Sequence, residues 1–396
     1  MTWWDLAYLG NMVQNGTTGT GSQSNFRMMV FNNAKNLTLY RVTLNNSANF
    51  HVVPSGVDGL TVWGVKVQTP SLAAFANPAG NGNPLYTGAT FMEDNVKNTD
   101  AFDPGSSSSA TLAAKLTTGS INRSVSGITG GTTTTTASVA FDGYLKNVVF
   151  AYNFISTGDD DIALKGSNNP SPASSGLPGI DGNRDVRSDR TYGISIAHNH
   201  IYWGHGISIG SETNAGVRNV HVYDNSFDGS EEGLRIKSDY ARGGEVSNIW
   251  YDGICIRGTE NALLFTPYYS TKALPAGGPL FPNFHDIFVS NVAIQGSTAV
   301  KLQGFQANTG GYTNPAYPLI MTLKNVVSDS PDQVSVISSD ANLTLSGVNL
   351  PLFPSTDLRI TINGAATRAI NPSTVVDCSR AYVDFPSPTS PAGTSW

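Results

Sequence analysis

The chain has 396 residues, enough for a large core; its charged fraction of 13% is low, and its 41 glycines make it rich in turns. A net charge of −6 provides no basic field of the kind that gathers nucleic acid, so an acidic ligand would need a local cationic patch. No apolar run reaches the ~18 residues that a membrane helix requires, and sustained helical periodicity is missing too, which together argue for β structure.

The N-terminal stretch MTWWDLAYLGNMVQ has neither a basic n-region nor a continuous apolar h-region. Either the protein acts inside the cell or its leader is missing from this sequence. Short apolar alternations bounded by Asn and Gly then recur, at Asn36 to Leu44, Gly59 to Val67, Lys146 to Ile155, Tyr192 to Ile201, Arg218 to Phe227, Ser247 to Ile256 and His285 to Ile294. Each reads as a strand, a polar corner and a second strand. A sandwich or propeller would show hairpin turns instead, so the repeat predicts an all-β, single-stranded parallel β-helix.

One helical domain is expected over residues 1–386, carrying a Ser/Thr/Gly-rich insertion from Gly105 to Ser138 as a surface excursion. A Pro/Gly/Asp-rich loop at about 168–190 is placed at the edge of a cleft, and 387–396 form a Pro/Ser/Thr tail. Cys255 and Cys378 match no metal-ligand spacing and are read as buried thiols, with a disulfide as the less favoured alternative. Sequons such as Asn36-Leu37-Thr38 are expected by chance in so Asn- and Thr-rich a chain.

The repeat permits a register test. Aligning the units on Val148, Ile194, Val220 and Ile249 and moving eleven positions on reaches Asp159, His205, Glu231 and Glu260, so ionisable residues fill one column. Equivalent positions on neighbouring coils lie about 4.8 Å apart, which makes Asp159 and His205 neighbours. Asp159, Asp160 and Asp161 stand together between two strand-like segments, where repulsion and poor strand propensity give little structural reason for them. On its own the run reads equally as an Asp-rich or calcium-binding turn.

Four motifs follow in order: Asn98-Thr99-Asp100, Gly158-Asp159-Asp160, Gly204-His205-Gly206 and Arg235-Ile236-Lys237. Together, on this repeat, they resemble the polygalacturonase family of glycoside hydrolases, family 28, over Trp3 to about Leu302. Cleaving a glycosidic bond takes one carboxyl group to protonate the leaving oxygen and another to activate water, and packing Asp100, Asp159 and Asp160 together should raise at least one of their pKa values. Arg235 and Lys237 alternate around Ile236, so both point to one face, which can bind a carboxylate. The resemblance implies a right-handed β-helix, Asp159 as general acid, Asp100 and Asp160 holding the attacking water, inversion at the anomeric carbon and His205 maintaining the acid's protonation. Arg235 and Lys237 would hold a galacturonate carboxylate.

It further implies a monomeric, secreted or periplasmic hydrolase of pectin or polygalacturonate that uses no cofactor or metal. Read singly, each residue has a plainer role: Asp100 in an Asx turn, His205 as a satisfied histidine, and Arg235 and Lys237 as a solvated face paired with Glu231 or Glu232. Departures from the family pattern are Ala101 for the usual Gly, Asp161 for the usual Cys, and Asn261 near the place where fungal members carry a substrate-contacting Tyr. The start at Trp3-Trp4 lacks the usual upstream IDG-type coil, so a truncated N-terminus without its cap is expected. Endo or exo attack is open, although His205 to Glu212 resembles bacterial members, some of them exo-acting. Two alternatives remain: a calcium-dependent pectate lyase, which would release an ultraviolet-absorbing product, and a β-helix protein that binds sugar without turnover.

Overall fold

The computed structural model describes residues 26–69, 98–107, 110–124, 127–166, 190–270, 279–311, 313–362 and 372–386. The start at Trp3-Trp4, nearly all of the 168–190 loop and the 387–396 tail lie outside them.

The chain winds into a parallel β-helix in which successive coils lay their strands on one another. One row holds Leu145–Ala151, Thr191–Ala197 and Val217–Tyr223, a second holds Phe154–Ser156, His200–Ile201 and Ser226–Asp228, and all pairings within them are parallel. The two rows merge where Glu245–Arg257 and Asn283–Gln295 run through the corner unbroken. A third row holds Ile162–Leu164, Ile207–Ile209, Glu232–Lys237, Asn261–Thr266, Thr298–Gln303 and Val334–Ser339, and this row carries the candidate site. Isolated bridges from Phe102 to Ile162 and to Val52 extend it backwards.

The register matches the sequence column: Val148 pairs with Ile194, Ile194 with Val220 and Val220 with Ile249, and all four are buried. Stacking like residues on like gives an inner column of apolar side chains, each contributing about 1.5–3 kcal/mol by its burial. The polar corner has its own ladder. Asn153 Nδ2 donates to Asn199 Oδ1 (2.8 Å) and Asn199 Nδ2 to Asn225 Oδ1 (2.9 Å), while the same oxygens accept the backbone N–H groups of Asn153 and Asn199 at 3.0 and 2.9 Å. These buried amides satisfy backbone groups that the bend takes out of the sheet. At the start of the first row Asn147, Gly193, Asn219 and Asn248 all have positive φ, a conformation that Gly and Asn accept at least cost.

The Ser/Thr/Gly-rich insertion is an antiparallel hairpin, Ala110–Ser124 against Gly127–Phe141, that pairs with no other described strand. The cysteine reading is corrected: Cys255 and Cys378 form a disulfide, with Cα atoms 5.8 Å apart. The reason is topological. The segment 372–386 folds back across the second row, where Tyr202 Oη donates to the Val383 carbonyl (2.8 Å) and Phe385 packs on Phe154 and Tyr202. That return brings together thiols far apart in sequence.

Candidate active site

Asp159, Asp160 and Asp161 occupy the turn between Phe154–Ser156 and Ile162–Leu164, and the next coil closes on them through its backbone. The His205 N–H donates to the Asp159 carbonyl (2.9 Å), and one coil further the Glu231 N–H donates to the Gly204 carbonyl (2.8 Å). His205 therefore stands over Asp159, as the column arithmetic places it. A Cβ on Gly206 would run into the Glu232 carbonyl, and one on Gly204 would press on the Asp161 carboxylate, so both glycines flanking His205 are demanded by close approach.

Each aspartate has a different environment. Asp159 Oδ2 accepts the Asn98 N–H (2.7 Å), and Oδ1 faces His205 Nδ1 at 3.3 Å. On its other side His205 Nε2 meets Glu231 Oε2 at 3.0 Å; both are ion-pair contacts without the alignment of a good hydrogen bond. Burial lowers the His205 pKa, but the two carboxylates outweigh it and hold the imidazole well above its ordinary value. Burial likewise raises Asp159, and the His205 contact overcomes it, leaving this carboxyl below its ordinary value.

Asp160 is buried among cations. It accepts from Lys237 Nζ at 2.6 and 2.9 Å and from Ser208 Oγ at 2.8 Å, with Arg235 at 3.4 Å and Lys165 Nζ at 3.9 Å. Burial pushes its carboxyl up, and Lys237, Lys165 and Arg235 together drive it well below the usual range. Asp161 points to neither sugar nor solvent: it is buried and accepts the Gly206 N–H at 2.9 Å.

Asp100 comes in from the preceding coil, its backbone carbonyl held by the His51 N–H at 2.9 Å and by His51 Nδ1 at 3.0 Å. Its buried Oδ1 has no hydrogen-bond partner. Burial first, then the negative charges of Asp103, Asp159 and Asp160, raise its pKa well above the ordinary carboxylate value. Of the aspartates expected to crowd one another, Asp100 is the one whose carboxyl is pushed upward.

Asp100, Asp159, Asp160, Lys165, Lys237 and Tyr269 help to line an open cavity of about 500 Å³. Arg235 and Lys237 do share a face, but neither is a solvated cation: both are buried, and Arg235 also pairs with Glu232 (3.3 Å). Three cations, Arg235, Lys237 and Arg242, lie 5.5, 5.0 and 5.6 Å from the centre of the half-exposed Tyr269 ring. Tyr269, not Asn261, is thus the aromatic residue beside the cations, and the motifs gave no hint of it. No motif marks Lys165, although the sequence carries a signal: Leu164, Ile209 and Ile236 are paired in register, so the residues that follow, Lys165, Gly210 and Lys237, form a second column with a lysine on either side of a glycine.

Asp159, Asp160 and His205 are close enough to share a metal ion, and so are His205, Glu231 and Glu232. In both groups the charges are already met within the protein, Asp160 by three cations and His205 by two carboxylates. One carboxyl pushed up, one pushed down and one paired with a histidine, all in a single groove, make a site suited to acid–base cleavage of a glycosidic bond.

Comparison with known proteins agrees. The model of glycosyl hydrolases family 28 matches residues 3–126 and 135–313, and the chain belongs to that family. It is 36% identical to a polygalacturonase of Ralstonia solanacearum over 99% of this chain and 65% of that protein. It is 30% identical to an endo-polygalacturonase of Pectobacterium carotovorum subsp. carotovorum over 85% of this chain and 60% of that one. The chain therefore spans 60–65% of the length of these relatives, less than two thirds. Among solved structures, the polygalacturonase from Erwinia carotovora ssp. carotovora superposes with a TM-score of 0.56 at 28% identity, covering 87% of this chain and 65% of that one. The exopolygalacturonase from Thermotoga maritima, at 17% identity and a TM-score of 0.50 over 92% of this chain and 62% of that one, shares the fold. That shared fold is the right-handed parallel β-helix expected from the sequence.

Proposed function

We propose that this protein is a polygalacturonase that hydrolyses α-1,4 bonds between galacturonate units of pectin with inversion. The observation that carries this reading is the placement of Asp160 between the Asp159–His205 pair and the Arg235–Lys237 cations, which puts acid–base groups beside a carboxylate-binding patch. His205 Nδ1 lies 3.3 Å from Asp159 Oδ1, near enough for a proton to pass between the two side chains once they align. When it lies on Asp159, that residue is the general acid for the leaving oxygen. Asp160, held ionised by its cations, is the base that takes a proton from water, and protonated Asp100 orients that water. Arg235 and Lys237, with Tyr269 above them, hold the carboxylate of a sugar next to the scissile bond. Similarity to two bacterial polygalacturonases supports the substrate.

The protein works as a monomer in an exported compartment, a location that the Cys255–Cys378 disulfide supports because such bonds persist in oxidising surroundings. Purified protein incubated with polygalacturonate in a chelator should release reducing ends without ultraviolet-absorbing product. Absorbance would mean elimination, and neither signal would mean that this is not the substrate.

A further inference from the structure

Lys165 belongs to none of the four motifs, yet its ammonium lies among three carboxylates from successive coils: Asp103 at 3.7 Å, Asp160 at 3.9 Å and Glu212 at 3.6 Å. It is nearly equidistant from all three and bonded closely to none. Lys237, two coils on in the same column, reaches Asp160 from the other side, with Gly210 between them. A Cβ on Gly210 would collide with the Lys237 carbonyl, so the gap between the two lysines is built into the backbone.

The two sides of Asp160 differ in charge balance. Beneath Tyr269, Arg235 and Lys237 can draw a substrate carboxylate, whereas Arg242, also beside the ring, is taken up by Glu212 (2.9 Å) and Asp239 (2.8 Å). Around Lys165 three carboxylates surround one ammonium. A further anion is repelled from that side. Substrate binding thus diverts Lys237 and Arg235 from Asp160 but leaves Lys165 in place.

We propose that Lys165 is a positioning residue that keeps Asp160 ionised while the substrate carboxylate occupies Arg235 and Lys237. This rests on the polygalacturonase reading above. The other charged groups around Asp160 are Asp100, Asp103, Asp159 and His205.

The test compares wild type with Lys165→Met and Lys165→Arg by measuring kcat and kcat/KM on polygalacturonate against pH. The acidic limb of kcat/KM reports the free enzyme, where Asp160 keeps Lys237 and Arg235, and should hardly move in Lys165→Met. The acidic limb of kcat reports the complex and should move up by about one pH unit, a roughly tenfold loss of kcat below it. Lys165→Arg should restore it. Should Lys165→Met fail to fold, Asp103→Asn, which frees Lys165 towards Asp160, should move the kcat limb down instead. Hydrolysis with an unmoved kcat limb, or equal shifts in both limbs, would overturn the inference alone. No reducing ends from wild type would overturn the reading of the site, and this inference with it.

Discussion

Asp159 contributes little to packing and much to proton traffic. Asp159→Asn should lower turnover of polygalacturonate by about 10²–10⁴-fold, the usual size of a general-acid contribution, with the circular-dichroism β signal unchanged. Loss of that signal would make the residue structural. Lys237→Ala has a less simple outcome than its motif suggests, because Lys237 bonds Asp160 as well as facing the cavity. It should lower kcat on all substrates and raise KM more for de-esterified than for methyl-esterified pectin, in side-by-side kinetics; equal KM effects would count against carboxylate recognition. Glu232 titrates differently. Burial raises its pKa from the ordinary 4.5 to about 7 despite Arg235, so the folded state binds a proton that the unfolded state has released between those values. Native stability therefore falls as pH rises through that window, by up to about 3 kcal/mol from this group. Glu232→Gln should flatten the decline, so that its melting temperature gains on wild type between pH 4.5 and 7 and matches it below.

Among the elements, what the sequence could show depended on whether a feature repeats. The first-row strands alternate apolar and polar residues, and Val148, Ile194, Val220 and Ile249 could be aligned, so coil register and the meeting of Asp159 with His205 were legible before any coordinates. The hairpin at Ala110–Ser124 and Gly127–Phe141 was not, because a sequence so rich in Ser, Thr and Gly carries no hydrophobic period, and it reads only as a surface excursion. Tyr269 and the Cys255–Cys378 bond were hidden for a different reason: each lies outside the repeat and depends on where a loop or terminal segment returns. The corner asparagines stood in plain view within the repeat units, but only the ladder of bonds shows their purpose. Asn199→Ala would take the Oδ1 acceptor from the Asn153 backbone N–H and from the Asn153 side-chain amide, which would keep only the Val62 carbonyl (3.2 Å), and remove donors to Asn225 and to the Phe150 carbonyl. A loss of about 2–4 kcal/mol in denaturant unfolding is expected, against less than about 0.5 kcal/mol for an exposed asparagine.

For the molecule as a whole, the disulfide ties residues separated by 123 positions and fastens the returning segment to the second row, away from the row that carries the site. Closing so long a loop restricts the unfolded chain, and removing such a bond costs about 2–5 kcal/mol. Cys255→Ser should therefore lower the melting temperature but leave kcat on polygalacturonate within about twofold, since Cys255 is not among the described residues that line the cavity. A collapse of kcat in the folded variant would show that the strap reaches the site.

The asparagine ladder also acts as a check on errors during folding. Side chains on a strand alternate in direction, so a coil docked one residue out of step would turn Lys165 or Lys237 inward and Leu164 or Ile236 out to the groove. Apolar residues of similar size would tolerate much of that mistake. Asn153, Asn199 and Asn225 would not, because a slipped amide meets aliphatic neighbours and leaves buried polar groups unsatisfied. Proofreading in this chain is thus lodged at a corner, while its benefit falls on the chemistry of another face.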